Sequence, residues 1–240
     1  MNYTRIYLDN DFLMEDELSL SNDTSNYLIN VLRKKNGDQI RLFNGKGYSC
    51  LAEIILKNKK SSIRILENKS FVSPRGIKIL LGQCLLKPEP FSFSIQKSTE
   101  LGVGSITPLR SERTVVKINE KSQSLRLSRW KKIAINACEQ CGEDWLPEIS
   151  NIQSLRNWCA QVKAETKIVL YPKAEQGLSQ ISFGNSLAMA IGPEGDFTPE
   201  EIDLFEENGF IPVTIGTRVL RAETAVISSL SAVRTLCGEF

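Results

Sequence analysis

The chain has 240 residues, of which 41% are hydrophobic and 24% charged, and 30 Lys and Arg against 28 Asp and Glu give a formal net charge of +2. These values are ordinary for a folded protein of one or two domains. No apolar run reaches the roughly 18 residues of a membrane-spanning helix, and early acids such as Asp9 and Asp11 exclude a signal peptide. We therefore expect a cytoplasmic protein with no membrane partner.

The chain contains no histidine. This excludes Ser-His-Asp and Cys-His nucleophilic sites, histidine general bases, and zinc sites of the HExxH or mixed Cys/His kind. Among the six cysteines, Cys138 and Cys141 form the single CxxC pair. Because both fall on a predicted helix with no second pair, the spacing favours a structural pair over a redox or metal site. We expect no bound metal.

The N-terminal part of the chain predicts a β-rich domain. Four segments alternate or are rich in β-branched residues, as strands are: Ile6–Leu8, Gln39–Phe43, Cys50–Leu56 and Ser61–Leu66. Between the second and third of these, Asn44–Gly47 predicts a hairpin turn, since Asn and Gly tolerate positive φ. A short helix is predicted at Ser25–Arg33, and Ser73–Gly76 is a predicted linker.

After the linker, strands alternate with helices. The predicted strands are Ile77–Leu86, Ile106–Leu109, Lys167–Tyr171, Leu187–Ile191 and Ile211–Ile215. The predicted helices are Phe91–Leu101, Leu125–Cys141, Leu155–Val162, Pro199–Asn208 with Thr198 as its N-cap, and Glu223–Leu236. Most of these strands are too apolar to be half exposed. The pattern therefore predicts an α/β fold with a mostly parallel sheet covered on both faces.

Charge is unevenly distributed along the chain. Residues 31–78 hold twelve basic against three acidic residues, and residues 110–132 hold eight against two. Residues 192–209 hold seven acids and no base. Such asymmetry favours binding of a polyanion through basic faces. The alternative is a solvated surface on which acidic and basic residues from different segments lie together in the fold and neutralise one another.

Two glycine-containing loops each follow a predicted strand and precede a predicted helix. They are IGPEGDF at Ile191–Phe197 and IGTRVLRAETA at Ile215–Ala225. In open α/β sheets, ligands bind at the carboxyl ends of strands, and glycine lets the backbone approach a ligand closely. Two ordinary tight turns are the alternative. The chain has no GxxxxGK[ST] motif and no complete GxGxxG motif, which disfavours ATP-hydrolysing and hydride-transferring enzymes.

Longer stretches resemble one known family. IGPEGDFTPEEI (Ile191–Ile202) and LRAETAVISSLSAV (Leu220–Val233) resemble the signature of the RsmE family, 16S ribosomal RNA (uracil-N3)-methyltransferases of the SPOUT superfamily. Three more segments resemble the same family, in the same order: VLRKKNGDQIRLFNGKG (Val31–Gly47), QKSTELGVGSITPLRSERTVVK (Gln96–Lys117) and RWKKIAINACEQCG (Arg129–Gly142). Where the family usually reads GPEGG, this chain has Asp196 in place of the last glycine.

The resemblance implies two domains and a dimer. Residues 1–72 would form a PUA-like RNA-binding barrel, and residues 73–240 a SPOUT methyltransferase domain with a C-terminal trefoil knot that binds S-adenosyl-L-methionine. A homodimer would form through the knotted domain. The closing helix carries an apolar stripe that could serve this interface: Ala225, Val226, Leu230, Val233 and Leu236. The alternative is that the stripe only covers its own sheet.

The resemblance also implies site residues. S-adenosyl-L-methionine would contact Leu170, Tyr171, Pro172, Ile191, Gly192, Pro193, Glu194, Gly195, Ile215, Gly216, Leu220, Arg221, Ala222, Glu223, Thr224 and Ala225. The lack of histidine is compatible with this cofactor, because a sulfonium-bound methyl group is already electrophilic. Arg221 is the candidate for stabilising the uracil N3 anion or anchoring a phosphate, with an ion pair to Glu194 or Glu223 as the alternative. Glu139 and Glu100 are candidate bases.

The implied substrate is 16S rRNA of the small ribosomal subunit. Candidate phosphate contacts are Arg33, Lys46, Lys97, Arg110, Arg113 and Lys117. Two alternatives stay open at this point. The chain could be a methyltransferase of another RNA, such as tRNA, or a non-catalytic RNA-binding module, although the second reading leaves the cofactor loops unexplained.

Overall fold

The computed structural model describes residues 3–12, 16–57, 60–116 and 120–240, which form two compact units. The first unit combines Met1–Pro74 with Cys138–Leu146, and the second combines Arg75–Ala137 with Pro147–Phe240. The sequence did not indicate that Cys138–Leu146 belongs with the N-terminal residues. No helix in the described ranges is both long and apolar enough to cross a membrane.

The first unit is built on a six-stranded sheet in the order β1-β3-β4-β5-β2, with β6 paired to β4. Its strands are β1 (Thr4–Tyr7), β2 (Glu17–Ser19), β3 (Gln39–Phe43), β4 (Tyr48–Lys57), β5 (Lys60–Ile65) and β6 (Ser70–Phe71). β1 pairs with β3 in parallel, and the other pairs are antiparallel. Alternate residues of β3, β4 and β5, such as Leu42, Ile54 and Ile63, are fully buried in one core.

The predicted hairpin between β3 and β4 is confirmed. Asn44 Oδ1 accepts hydrogen bonds from the amides of Lys46 (2.9 Å) and Tyr48 (3.2 Å), which fixes the turn. Gly45 and Gly47 have φ of 72° and 83°, in the left-handed region that favours glycine.

The short helix differs from the prediction over Ser25–Arg33. Helix α1 spans Asn22–Asn26 and continues as a π-helical turn over Tyr27–Val31. It starts early because the Ser21 hydroxyl accepts a hydrogen bond from the Thr24 amide (3.1 Å), a cap that the hydrophobic pattern does not indicate.

Three contacts attach the end of helix α3 (Glu120–Cys141) and the segment after it to the rest of the first unit. Arg5 forms an ion pair with Asp144. The Tyr7 amide donates to Glu139 Oε1 (3.1 Å). The Trp145 indole donates to the Val72 carbonyl (2.8 Å).

The second unit is an α/β fold on a parallel sheet, as predicted. Its strand order is β10-β8-β7-β12-β11-β13, with β9 paired to β8, and every pair is parallel. The strands are β7 (Lys78–Cys84), β8 (Ser105–Arg110), β9 (Glu148–Ile149), β10 (Gln153–Ser154), β11 (Thr166–Leu170), β12 (Ser186–Ile191) and β13 (Ile211–Val213). The central strands are apolar and buried, as in β12, where every residue from Leu187 to Ile191 is buried.

The remaining helices are α2 (Pro88–Glu100), α4 (Leu155–Gln161), α5 (Pro199–Glu207) and α6 (Ala222–Leu236), and a 3₁₀ turn spans Leu178–Gln180. Thr198 is the N-cap of α5, as predicted. Its hydroxyl accepts from the Glu201 amide (3.2 Å), while Glu201 Oε2 accepts from the Thr198 amide (3.0 Å). Helices α4 and α5 contribute Trp158 and Phe205 to a core with strand residues such as Ala188.

Cys138 and Cys141 both lie on α3, as predicted, and neither is in a disulfide. Cys138 is fully buried, and burial raises the pKa of its thiol to about 12. A thiol with so high a pKa is unreactive at neutral pH.

Most of the apolar stripe on α6 is buried within its own chain. Val226, Leu230 and Val233 have 0% exposed surface, whereas Leu236 is 49% exposed. These three residues therefore cover their own unit, which is the alternative given above. Their burial removes them as free dimer contacts, and the homodimer stays a prediction.

Candidate functional site

A cavity of about 550 Å³ lies in the second unit, at the carboxyl ends of β11, β12 and β13. We call it the strand-end cavity. Its wall also includes Lys87 and Pro90, which follow β7, and Ala222 and Ala225 on the first turn of α6. This is the edge at which parallel α/β sheets bind their ligands.

Most of the predicted cofactor residues line this cavity. They are Leu170, Tyr171, Pro172, Ile191, Gly192, Pro193, Glu194, Ile215, Leu220, Arg221, Ala222, Glu223 and Ala225. Gly195, Gly216 and Thr224 are not among the residues that line it. The two glycine loops thus meet at one place, together with the residues that follow β11.

Seven further residues line the cavity and were not selected from the sequence: Lys87, Pro90, Asp196, Val213, Thr214, Arg218 and Val219. Asp196, Arg218 and Val219 lie inside the two glycine loops, so the loop boundaries already contained them. Lys87 and Pro90 follow a strand that was predicted to belong to the parallel sheet. Because the carboxyl ends of parallel strands lie at one edge of the sheet, this position could have identified both residues as candidates.

The loop Gly192–Asp196 makes a tight turn, in which the Asp196 amide donates to the Pro193 carbonyl (3.0 Å). Asp196 has a φ of 61°, a conformation that Asp adopts more readily than most residues. Its Oδ1 accepts from the Phe197 amide (2.8 Å). On the same loop, Glu194 Oε1 accepts from the Lys87 amide (3.2 Å), which connects the loop to the segment after β7.

The second loop runs from Thr214 to Arg221, where α6 begins. The Thr214 hydroxyl donates to the Gly216 carbonyl (2.8 Å), and Gly216 has a φ of 142°. The main chain of Thr214 is held on both sides, since its carbonyl accepts from the Leu178 amide (2.8 Å) and its amide donates to the Gln176 carbonyl (2.9 Å). The start of the loop is therefore fixed at Thr214, mainly by main-chain contacts.

The cavity carries both signs of charge. Lys87, Arg218 and Arg221 are its cations, and Glu194, Asp196 and Glu223 are its carboxylates. Burial raises the pKa of Asp196, and the Phe197 amide and the cations Arg113 and Lys173 partly oppose that rise.

Arg221 is exposed and is the N-cap residue of α6. Within the part of the chain that the structure describes, its guanidinium forms no salt bridge, so the predicted alternative of a pair with Glu194 or Glu223 is not observed. Its charge is available to a ligand in the cavity.

Neither carboxylate predicted as a base lines the cavity. Glu139 accepts from the Tyr7 amide, and burial raises its pKa while that hydrogen bond and Arg5 lower it. Glu100 forms an ion pair with Lys97 (2.8 Å), which also places Lys97, a candidate RNA contact, against a carboxylate.

The other candidate RNA contacts are distributed over both units. Arg33 and Lys46 are exposed in the first unit, with Lys46 near Asp9 (3.5 Å). Arg110 and Arg113 are exposed in the second unit, and Arg113 Nη1 donates to the Gly195 carbonyl (3.0 Å). Lys117 lies outside the described residues.

The cavity has the features that S-adenosyl-L-methionine requires. Apolar side chains such as Leu170, Ile191 and Leu220 line it and offer a wall for an adenine ring. The carboxylates suit an ammonium and a sulfonium, and the cations suit a carboxylate.

Comparison with known proteins agrees with this chemistry. The model of the family described as "RNA methyltransferase domain" matches residues 73–234, and that described as "RNA methyltransferase PUA domain" matches residues 20–66. The Ribosomal RNA small subunit methyltransferase E of Buchnera aphidicola subsp. Schizaphis graminum is 37% identical over 240 residues, covering 98% of this chain and 97% of its own. That of Bacillus subtilis is 30% identical over 226 residues, covering 90% and 88%.

Solved structures show the same fold. The methyltransferase E of Neisseria gonorrhoeae, bound to S-adenosyl methionine, superposes with a TM-score of 0.89 at 32% identity over 98% of both chains. A Legionella pneumophila protein in complex with the same cofactor superposes with a TM-score of 0.92 at 36% identity over 98% of both chains. Since the match extends over nearly the whole chain, including the loops of the strand-end cavity, the chain belongs to the family of RNA methyltransferases that includes the ribosomal RNA small subunit methyltransferases E.

Proposed function

We propose that this enzyme transfers a methyl group from S-adenosyl-L-methionine to N3 of a uridine in 16S rRNA of the small ribosomal subunit. The observation that carries the proposal is the strand-end cavity, in which residues predicted from the family signature lie together. The relatives named above act on small-subunit ribosomal RNA by their names, and two structural neighbours contain the cofactor.

The chain's own residues hold the cofactor in this proposal. The loops after β11, β12 and β13, with apolar residues such as Leu170, Ile191 and Leu220, would hold the cofactor. When bound, the cofactor supplies an electrophilic methyl group on a sulfonium. The protein's task is then to orient uracil N3 toward that group and to exclude water, which is an effect of position rather than of a strong base.

Arg221 has the properties needed to assist the loss of the N3 proton. Its guanidinium lies at the cavity, is exposed, and has no carboxylate partner in the described ranges. A cation beside a uracil imide stabilises the anion that forms when the proton leaves. The same group could anchor the phosphate of the target nucleotide. Glu139 and Glu100 stay candidate bases, although contacts within the chain already engage both carboxylates.

In the same proposal, the PUA domain and the basic residues bind the RNA. We assign residues 1–72 to a PUA-like barrel and residues 73–240 to a knotted SPOUT domain, both by family resemblance. Arg33 and Lys46 in the first unit, and Lys97, Arg110, Arg113 and Lys117 in the remainder, are the proposed contacts. The enzyme would act as a homodimer, without a metal, in the cytoplasm where ribosomal subunits are built.

The decisive experiment is methyl transfer with labelled cofactor to unmodified 16S rRNA, small subunits and tRNA in parallel. N3 lies on the Watson–Crick edge, so its methylation stops reverse transcription one nucleotide before the target. One stop in 16S rRNA is expected. A stop in tRNA alone would indicate another substrate. Cofactor binding without transfer to any RNA would indicate a binding module, and either result contradicts the proposal.

A matched pair of variants tests Arg221. Arg221→Ala should lower the transfer rate at saturating cofactor by about a hundredfold, whatever its effect on the cofactor dissociation constant. Arg156→Ala removes the same charge from an exposed position on α4 and should leave both quantities unchanged. An Arg221→Ala enzyme with the wild-type rate would remove Arg221 from the mechanism.

RNA affinity should depend on salt. The logarithm of the RNA association constant falls linearly with the logarithm of the salt concentration. Each phosphate contact that is lost makes this slope shallower by roughly one unit. Arg33→Ala and Lys46→Ala should each produce a change of this size, measured by filter binding at several ionic strengths. Affinity that does not vary with salt would exclude electrostatic binding.

A further inference from the structure

Arg113 lies on a short loop that the chain itself shapes. Strand β8 ends at Arg110, and the next residues form a turn. In this turn the Ser111 amide donates to Thr114 Oγ1 (3.1 Å), and the Thr114 amide donates to the Ser111 carbonyl (3.2 Å). We call residues 111–116 the β8 loop. The hydrogen bonds between Ser111 and Thr114 fix the turn that carries Arg113.

The β8 loop is attached to the start of α5. The Glu112 amide donates to Glu201 Oε1 (2.8 Å), while the other oxygen of the same carboxylate accepts from the Thr198 amide (3.0 Å). One carboxylate therefore joins the β8 loop to the N-cap of the helix that directly follows the loop Gly192–Asp196.

Arg113 contacts the loop Gly192–Asp196 directly. Its Nη1 donates to the Gly195 carbonyl (3.0 Å). The approach is close, since a Cβ at position 195 would lie 3.1 Å from Arg113 Cβ, and a side chain there would shift Arg113 by a few tenths of an ångström. The next residue, Asp196, has a φ of 61° and lines the strand-end cavity. A left-handed Asp is maintained only where its surroundings hold it, and Arg113 is one of these contacts.

Electrostatics act in the same direction. The Arg113 charge lowers the pKa of Asp196 against the effect of burial, and so favours an ionised carboxylate at the cavity. Arg113 is exposed, but its guanidinium is engaged with the loop that carries two of the cavity's three carboxylates.

We propose that Arg113 is a positioning residue for the cofactor site: it holds the loop Gly192–Asp196 in its binding conformation through the Gly195 carbonyl. The inference rests on the proposed function, because it takes the ligand of the cavity to be S-adenosyl-L-methionine. It gives Arg113 a role that the family signature and the basic composition of residues 110–132 do not indicate. The role needs no RNA, and this separates it from a phosphate contact.

The test is calorimetric titration of S-adenosyl-L-methionine into the full chain without RNA. Arg113→Ala should weaken binding by about tenfold, since a charged hydrogen bond that fixes the loop is lost. Arg113→Lys keeps the charge and one donor, and should recover part of the affinity. Arg156→Ala, an exposed charge removed elsewhere, should bind like the wild type. Thermal unfolding of each variant establishes that the protein measured is folded.

In steady-state transfer assays, Arg113→Ala should raise KM for the cofactor by a similar factor while kcat changes little. Unchanged cofactor affinity in folded Arg113→Ala, with or without a loss of RNA affinity, would overturn the inference. A wild-type chain that does not bind the cofactor would instead overturn the proposed function, so the two failures are distinguishable.

Discussion

Gly195 shows how one missing side chain shapes the cofactor site. Gly195→Val should weaken cofactor binding in calorimetry by about tenfold, as Arg113→Ala does, because it acts through the same contact. The reason differs from the simple one that valine would fill the cavity, because Gly195 does not line it. A valine would instead displace Arg113, whose Cβ lies 3.1 Å from the place that the valine Cβ would take. Gly177→Ala is the control, because its Cβ would meet nothing nearer than 3.7 Å. Wild-type affinity in Gly195→Val would contradict this account.

Asp196 combines a strained backbone with a half-buried acid. Asp196→Gly should stabilise the protein by about 1 kcal/mol at neutral pH, because glycine adopts a φ of 61° without strain. Burial raises the pKa of this carboxyl above its value in the unfolded chain, so the ionised form lowers the stability of the folded protein. This destabilisation is lost as pH falls through the raised pKa. The gain should therefore shrink in acid.

Urea unfolding at several pH values measures this effect. Asp196→Asn separates the two contributions, because it removes the charge and keeps a residue that tolerates the left-handed region. If Asp196→Gly is less stable than the wild type, the contacts of the Asp196 carboxylate stabilise the fold by more than the backbone strain costs.

Part of the site could be predicted at this scale, and the reason is local. Glycine loops directly after apolar strands place Gly192 and Ile215 at a common edge, whatever the order of the strands. The shared carboxyl edge makes Lys87 a candidate as well, but its place at this cavity depends on β7 pairing with β12, which the sequence pattern does not specify. Arg113 resembles any exposed basic residue until its hydrogen bond to Gly195 is seen.

At the scale of elements, one arginine joins α6 to the end of α2. Arg234 is buried, and it donates to the carbonyls of Leu101 (3.1 Å) and Gly102 (2.6 Å), which follow α2. It also donates to the Ile77 carbonyl (3.3 Å) and pairs with Glu239. A cation at this position complements the carboxyl end of a helix.

Arg234→Ala should destabilise the protein by about 3 kcal/mol, because the buried Ile77 carbonyl and the half-buried Glu239 carboxylate both lose the guanidinium. Glu239→Gln keeps a hydrogen-bond acceptor and should cost much less. Urea unfolding followed by circular dichroism measures both. A loss below about 1 kcal/mol in Arg234→Ala would mean that water replaces the guanidinium.

The elements that the sequence predicts well carry a local pattern with a marked end. Strand β3 agrees with the prediction at both ends, because its residues alternate and a turn follows it. Helix α5 agrees to within one residue, because Thr198 caps it. Strands β2, β6, β9 and β10 were not predicted. Each has two or three residues, too few for an alternating pattern, and each forms only because a longer strand offers it an edge.

For the whole molecule, the proposed homodimer predicts a mass in solution. Light scattering should give about twice the chain mass of 26.9 kDa if the proposed homodimer forms. On α6, Leu236 is exposed, so Leu236→Glu should weaken the dimer and lower activity more than stability. Leu125→Glu changes an exposed leucine on α3 and serves as control. A fully active species of 26.9 kDa would contradict the dimer.

The strand order of the second unit has a consequence for synthesis on the ribosome. Strand β12 pairs with β7, yet residues 85–185 separate the two along the chain. At a synthesis rate of roughly 5–20 residues per second, β12 follows β7 after roughly 5–20 s, and this edge of β7 stays unpaired until then. A nascent chain with an open strand edge is exposed to aggregation for that interval. The loops around the cavity are completed last, so no nascent chain shorter than about 225 residues contains the whole site.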